Sequence, residues 1–214
     1  MRDVAPGLWL WRQRHWEWQA GADWEPVVAS FAVESRGEVV LVDPLAPPPS
    51  ARNVYDRLEA RRPTRVVVLK PDHIRDVDVF VHWYGIPAHG PYLFWEGERP
   101  RVSLEPLRPW GELPGGLRPL YDGRNSMETP LYLPEQHALV FADGMTAMDG
   151  ALRAWWSPLY QSSVLPALRA MLELPFEYVL VSHGEPVHRR ADFEAALERE
   201  PWDAPGNESK PASE

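Results

Sequence analysis

A short series of residue types recurs in the same order along this chain, and that recurrence limits its fold more than any bulk property does. Two β-rich runs, Val27 to Val33 and Glu38 to Val42, are joined by Glu34, Ser35, Arg36 and Gly37 and read as a hairpin that ends at Asp43-Pro44. Ser50 offers an N-cap for a helix to about Arg61, closed by Pro63. The apolar run Val66 to Leu69 suits a strand buried on both faces. Pro71, Asp72 and His73 follow it, and a second helix runs from about Asp76 to Tyr84, where Gly85 stops it. In the second half, Leu131 to Leu133 and Ala138 to Phe141 form another hairpin, ending at Asp143-Gly144. A helix from about Gln161 to Leu172 lies between Pro158 and Pro175, and the short strand Tyr178 to Val181 runs straight into Ser182, His183 and Gly184. Each half therefore reads hairpin, Asp, helix, buried strand, His. Such duplicated units, with Asp and His at the carboxyl ends of strands, predict a layered α/β sandwich with a site along one edge.

The flanking segments add less. Trp9 with Trp11, and Trp16 with Trp18, are spaced to share a strand face, which predicts an aromatic β-ribbon at the start of the chain. Residues 201–214, rich in Pro, Ser and charge, read as a disordered tail and leave 1–200 as a single domain. Proline, 24 of 214 residues, stands at twice the usual ~5%, but 11 tryptophans argue for a folded domain with rigid loops rather than for disorder. There is no cysteine, which removes disulfides, thiolate nucleophiles and cysteine zinc sites and leaves His, Asp and Glu as the strong metal ligands. A net charge of −9 would repel nucleic acid and anionic membrane. Apolar runs such as Val39–Val42 fall far short of the ~20 residues that span a bilayer. The first residues lack the apolar core of a secretory signal. A soluble, cytoplasmic protein with neither nucleic-acid nor membrane partner is expected.

Asp and His at the carboxyl edge of a buried sheet supply oxygen and nitrogen ligands for zinc, iron or manganese. The same types also serve as turn residues, helix caps and surface groups, so it is the matched placement of Asp43, His73, Asp143 and His183 that points to a site. His15, His82, His89, His137 and His188 have no partner at ligand spacing and read as structural or surface residues. Asp122 and Glu128 flank Arg124 as further carboxylates.

On these landmarks the sequence resembles the metallo-β-lactamase superfamily, whose fold is an αββα four-layer sandwich of two similar halves. The resemblance runs over about residues 5 to 190, through Gly37 to Asp43, the loop Pro71 to Asp76, Ala142-Asp143 at the bridging aspartate and Ser182-His183-Gly184 at the last histidine. Laid on the family's His-x-His-x-Asp-His loop, Pro71 to Asp76 keep only His73. Pro71 has no ligand atom, Arg75 is a permanent cation, and Asp76 still offers an oxygen. The family's middle histidine falls on Arg124. The resemblance thus implies a ligand set of His73, Asp76, Asp143 and His183 that holds one zinc, iron or manganese ion, or none. It implies that Arg75 and Arg124 replace lost metal charge by pairing with Asp43, Asp76 and Asp143.

Asp43, Trp155 and Trp156 would line the pocket for a small-molecule ligand, while Trp83, Tyr84, Tyr92, Phe94 and Trp95 read equally as packing aromatics. The functional expectation is a hydrolase-like protein whose dinuclear site is degraded and whose catalysis is weak or lost. Two alternatives stay open: a mononuclear metal-dependent hydrolase of an ester, thioester or lactone, and an aromatic-rich binding module. Oligomeric state is not legible.

Overall fold

The computed structural model describes residues 1–94, 99–124 and 127–202; Trp95 and residues 203–214 lie outside them. The first half contains β1 (Arg2–Ala5), β2 (Leu8–Arg14), β3 (Val27–Ser35), β4 (Glu38–Val42), α1 (Arg52–Ala60), β5 (Arg65–Val67), α2 (Val77–Tyr84), β6 (Ala88–Gly90) and β7 (Leu104–Pro106). The second contains β8 (Arg118–Pro119), β9 (Leu131–Leu133), β10 (Ala138–Val140), β11 (Met145–Thr146), β12 (Arg153–Ala154), α3 (Leu165–Ala170), β13 (Tyr178–Leu180), β14 (Val187–Arg189) and α4 (Arg190–Ala196). Strands β1 to β7 form one sheet in sequence order. A second sheet runs β14-β13-β10-β9-β8, and β11 with β12 makes a small ribbon.

Strand alternation explains the layers. In β2 and β3, Leu8, Leu10, Phe31 and Val33 face inward and meet Leu131, Leu133, Val140 and Leu180 of the other sheet in one fully buried core. The opposite face carries Trp9, Trp11, Ala32 and Leu41 against Val54 and Leu58 of α1 and Val77 and Phe80 of α2. On the far side, Leu139, Phe141 and Val179 pack on Leu165 and Leu168 of α3 and Phe193 of α4. Each of the buried Leu, Val and Phe side chains contributes about 1.5–3 kcal/mol, so the three cores, rather than helix propensity, hold the four layers together. The layers are the expected αββα sandwich.

The duplication is also real in three dimensions. Hairpin β3–β4 continues through α1 to β5, which pairs parallel with β4, and hairpin β9–β10 continues through α3 to β13, which pairs parallel with β10. Asp43, His73, Asp143 and His183 follow β4, β5, β10 and β13 within a few residues, all at carboxyl ends. One main-chain hydrogen bond, from the Ala29 amide in β3 to the Ser182 carbonyl (2.9 Å), stitches the two sheets at this edge.

Several local expectations need correction. Strand β2 stops at Arg14, and a turn in which the Trp18 amide reaches the His15 carbonyl (3.2 Å) takes Trp16 and Trp18 out of the ribbon. Trp16 is exposed. Helix α1 starts from Ala51 without a side-chain cap, so Ser50 is not its N-cap. The expected helix to Leu172 opens as a π-turn (Tyr160–Val164) because Pro166 cannot donate to the ladder. Trp202, expected in the tail, donates to the Ala154 carbonyl and accepts from the Trp156 amide (both 2.7 Å), extending the ribbon. Strands β6, β7 and β14 and helix α4 were not legible in sequence.

Gly184, in the turn after β13, sits at φ +80°, and a Cβ there would lie 2.2 Å from the Ala147 carbonyl group. Gly184→Ala is expected to cost about 1–3 kcal/mol in backbone strain alone, with the clash adding to it, measurable by urea denaturation. His15 is buried under Trp24, with ring centroids 5.1 Å apart, and burial, helped by the charges of Arg75, His73 and His183, pushes its imidazole down to about 4. Because the fold excludes a proton that the unfolded chain accepts near pH 6.5, this contribution to stability is complete above that pH and declines as the pH falls towards 4. His15→Phe should therefore lose less stability than the native chain between about pH 7.5 and about pH 5; equal losses would remove His15 from the account.

Candidate metal centre

Asp43 follows β4 with φ at +45°, a conformation that turns its side chain back over the end of β5. Its Oδ1 accepts from the Leu69 amide and its Oδ2 from His73 Nδ1, both at 2.8 Å. The Asp43 carbonyl in turn accepts from the Ser30 hydroxyl (2.9 Å) and from Arg75 (2.8 Å). A single 3-10 turn, Pro71–His73, then delivers His73 to the edge of the sheet. In the other half, buried Glu128 accepts from the amides of Ala142, Asp143 and Gly144 at 2.9, 2.9 and 2.6 Å and so fixes the loop that carries Asp143. His183 is set by the hairpin turn between β13 and β14, where its carbonyl accepts from Ala147 (3.1 Å).

These loops bring together His73, Asp143 and His183, whose ligand atoms all lie within 4.8 Å of one another. His73 Nε2 and His183 Nε2 stand 3.2 and 3.1 Å from the same oxygen, Asp143 Oδ1. Burial opposes the charge on Asp143, but Lys70 and His73, with hydrogen bonds from both histidines, hold its carboxyl well below the usual range. Burial also opposes the charge on His73, yet Asp143 and Asp43 outweigh it and its pKa stands at about 9. His183 goes the other way: burial lowers it more than Asp143 raises it. Its Nδ1 is buried and meets no hydrogen-bond partner among the described residues. Two imidazoles and one carboxylate are a donor set suited to zinc, iron or manganese, and His73 already has the carboxylate behind it that orients a metal-ligating ring. The three residues are a set that could hold a metal ion.

The other residues singled out by sequence take different places. Asp76 does not join the cluster: its Oδ2 accepts from the Ala46 amide (2.7 Å), in the turn that opens α2. Arg75 is half-buried and pairs with no carboxylate directly among the described residues; its Nη1 donates to the carbonyls of Ala29 and Asp43, both at 2.8 Å. Arg124 forms its ion pair with Asp122 (2.6 Å) and donates to the carbonyls of Gly144 and Trp155 at 3.3 and 3.0 Å, so it braces the Asp143 loop rather than replacing a metal. Trp155 does stand by the centre, its ring 6.4 Å from that of His183 and edge-on to it. Trp156 lines a shallow groove with Pro158, Tyr160, Gln161 and Glu200, none of them in the cluster.

Two participants, Lys70 and Trp24, escaped sequence reasoning, and Glu128, noted there only as a further carboxylate, has a role that the sequence did not show. Lys70 reaches Asp143 Oδ2 at 2.6 Å, Glu128 clasps the loop, and Trp24 lies edge-on to His183 at 5.8 Å. Burial, reinforced by Asp122, pushes the Glu128 carboxyl up to about 7. Lys70 stands one residue before the Pro71–Asp76 loop, and that position is the signal that could have found it.

No protein-family model matches the sequence, and neither does any curated protein. Solved structures do match in shape. The metallo-β-lactamase FIM-1 from Pseudomonas aeruginosa, in its mono-zinc form, aligns with a TM-score of 0.67 over 92% of this chain and 92% of its own at 15% identity. A metallo-β-lactamase family protein from Thermus thermophilus aligns at 0.62 over 90% and 77% with 17% identity. TTHA1623, in a di-iron-bound form, aligns at 0.62 over 79% and 93% with 20% identity. With two matched halves, four layers and these structural neighbours, the chain has the metallo-β-lactamase fold.

Proposed function

We propose that this chain is a metal-dependent hydrolase of the metallo-β-lactamase fold reduced to one ion, acting on an ester, thioester or lactone. The observation that carries the reading is the convergence of His73, Asp143 and His183, two nitrogens and one oxygen, at the shared edge of the two sheets. Three protein ligands with a position left open are the usual makeup of a catalytic site, whereas structural sites close with four. Neighbours of the same fold carry one zinc or two irons, which is consistent with zinc, iron or manganese here.

A bound divalent ion supplies a nucleophile at neutral pH by lowering the pKa of water. The chain's own residues do the rest. Asp43 holds the His73 ring so that Nε2 faces Asp143 and His183. Glu128, Arg124 and Asp122 keep the Asp143 loop from shifting, a precision that catalysis needs because small misplacements are costly. Trp24 and Trp155 shield His183 from water and offer apolar surface to the acyl or ring portion of a substrate. A second reading, a site closed by its own ion pairs and without activity, is favoured by one observation: Lys70 already neutralises Asp143.

Metal content separates the two. Purified protein saturated in turn with zinc, iron and manganese, then gel-filtered, should retain about one ion per chain by elemental analysis, and Asp143→Ala or His183→Ala should lose it. Protein that stays metal-free after saturation would leave only the inactive reading. Asp43→Asn is expected to weaken metal affinity by about 10–100-fold with the fold intact, as removal of a carboxylate behind a ligating histidine does. Hydrolysis of p-nitrophenyl acetate, a thioester and a lactone, measured with chelator and after metal restoration, tests the activity itself.

A further inference from the structure

Asp143 has two oxygens, and the structure divides them. Oδ1 faces the two histidines. Oδ2 faces Lys70 Nζ at 2.6 Å, and the same ammonium reaches Asp72 Oδ2 at 2.5 Å. Lys70 is well enclosed, its side chain 18% exposed, so this is a lysine committed to the cleft rather than a solvated surface charge. An aspartate between two ions must direct lone pairs at both, and here one oxygen is spent on an ammonium. The nearby groups do not make up the loss: Pro71 has no ligand atom, Arg75 is turned to main-chain carbonyls and Asp76 to the Ala46 amide. The fold itself accommodates either one metal or two, as its mono-zinc and di-iron neighbours demonstrate.

We propose that Lys70 is a built-in cation that takes a second ion's share of Asp143, restricts the centre to one divalent ion and weakens the hold on that ion by charge repulsion. The proposal rests on the reading of His73, Asp143 and His183 as ligands, and it assigns to Lys70 the compensating role that sequence reasoning gave to Arg75 and Arg124. A lysine acting only as a structural tie between Asp72 and Asp143 would have the opposite signature, since its loss would leave the carboxylates less well held and the metal site no better.

The test is zinc and manganese binding, by competition with a chelating dye and by elemental analysis, for the native chain, Lys70→Met and Lys70→Arg. Removing a unit positive charge a few ångströms from a divalent ion is expected to tighten binding roughly tenfold or more in Lys70→Met, while Lys70→Arg stays within a few-fold of native. Lys70→Gln, which keeps a hydrogen-bond donor for the two carboxylates, takes the place of Lys70→Met if circular dichroism shows that variant unfolded. Tighter binding in the neutral variant supports the role of Lys70. A native chain that binds no ion while Lys70→Met binds one also supports it, and overturns the one-metal reading of the native protein instead. Unchanged or weaker binding in both neutral variants, or no ion bound by any form, overturns the proposal.

Discussion

One buried carboxylate connects most of what is distinctive here. Asp43 is fully buried and held in a left-handed backbone conformation that a non-glycine residue adopts at a cost. That conformation lets a single side chain tie the end of β4 to the end of β5, through Leu69, and hold the His73 ring. Without it, His73 would sit on a short turn with free choice of rotamer, and its distance to Asp143 would not be set. The strain at Asp43 is therefore matched by the positioning it provides.

The charges of the centre are balanced internally. Asp43 brings a buried negative charge and Asp143 a half-buried one, and a carboxylate out of water is tolerated only when paired. Lys70 and a protonated His73 supply that balance directly, and Arg75 adds positive charge from behind while satisfying carbonyls. A metal ion entering such a site would compete with protons and with an ammonium already in place, so its affinity would depend on residues that are not its ligands.

The repeated order of hairpin, helix and parallel strand in the two halves was legible because it follows from alternation and from parallel strands that must be apolar on both faces, as Val39–Val42 and Val66–Leu69 are. His73, Asp143 and His183 were legible because duplication marks equivalent positions. What was not legible depends on direction rather than type. Asp76 is a carboxylate in the right loop, but a helix start turns it to Ala46, and Arg75 is a cation in the right loop whose guanidinium runs under the sheet to Ala29. In sequence Glu128 is a further carboxylate beside Arg124, and only the fold shows it enclosed and accepting from three amides. Trp16 and Trp18 keep the spacing of a strand, but the strand has already ended.

The bond between Ala29 and Ser182 acquires a wider meaning once the candidate ligands are assigned to halves. His73 follows a strand of the first sheet, Asp143 and His183 strands of the second, so neither half holds the whole candidate donor set. The centre is a property of the seam. An ion gripped there would act as a rivet across the two sheets, and slippage of one against the other would be felt at once in its coordination. The joint between the two repeats would then also be the place where a bound ion reports whether the halves are docked.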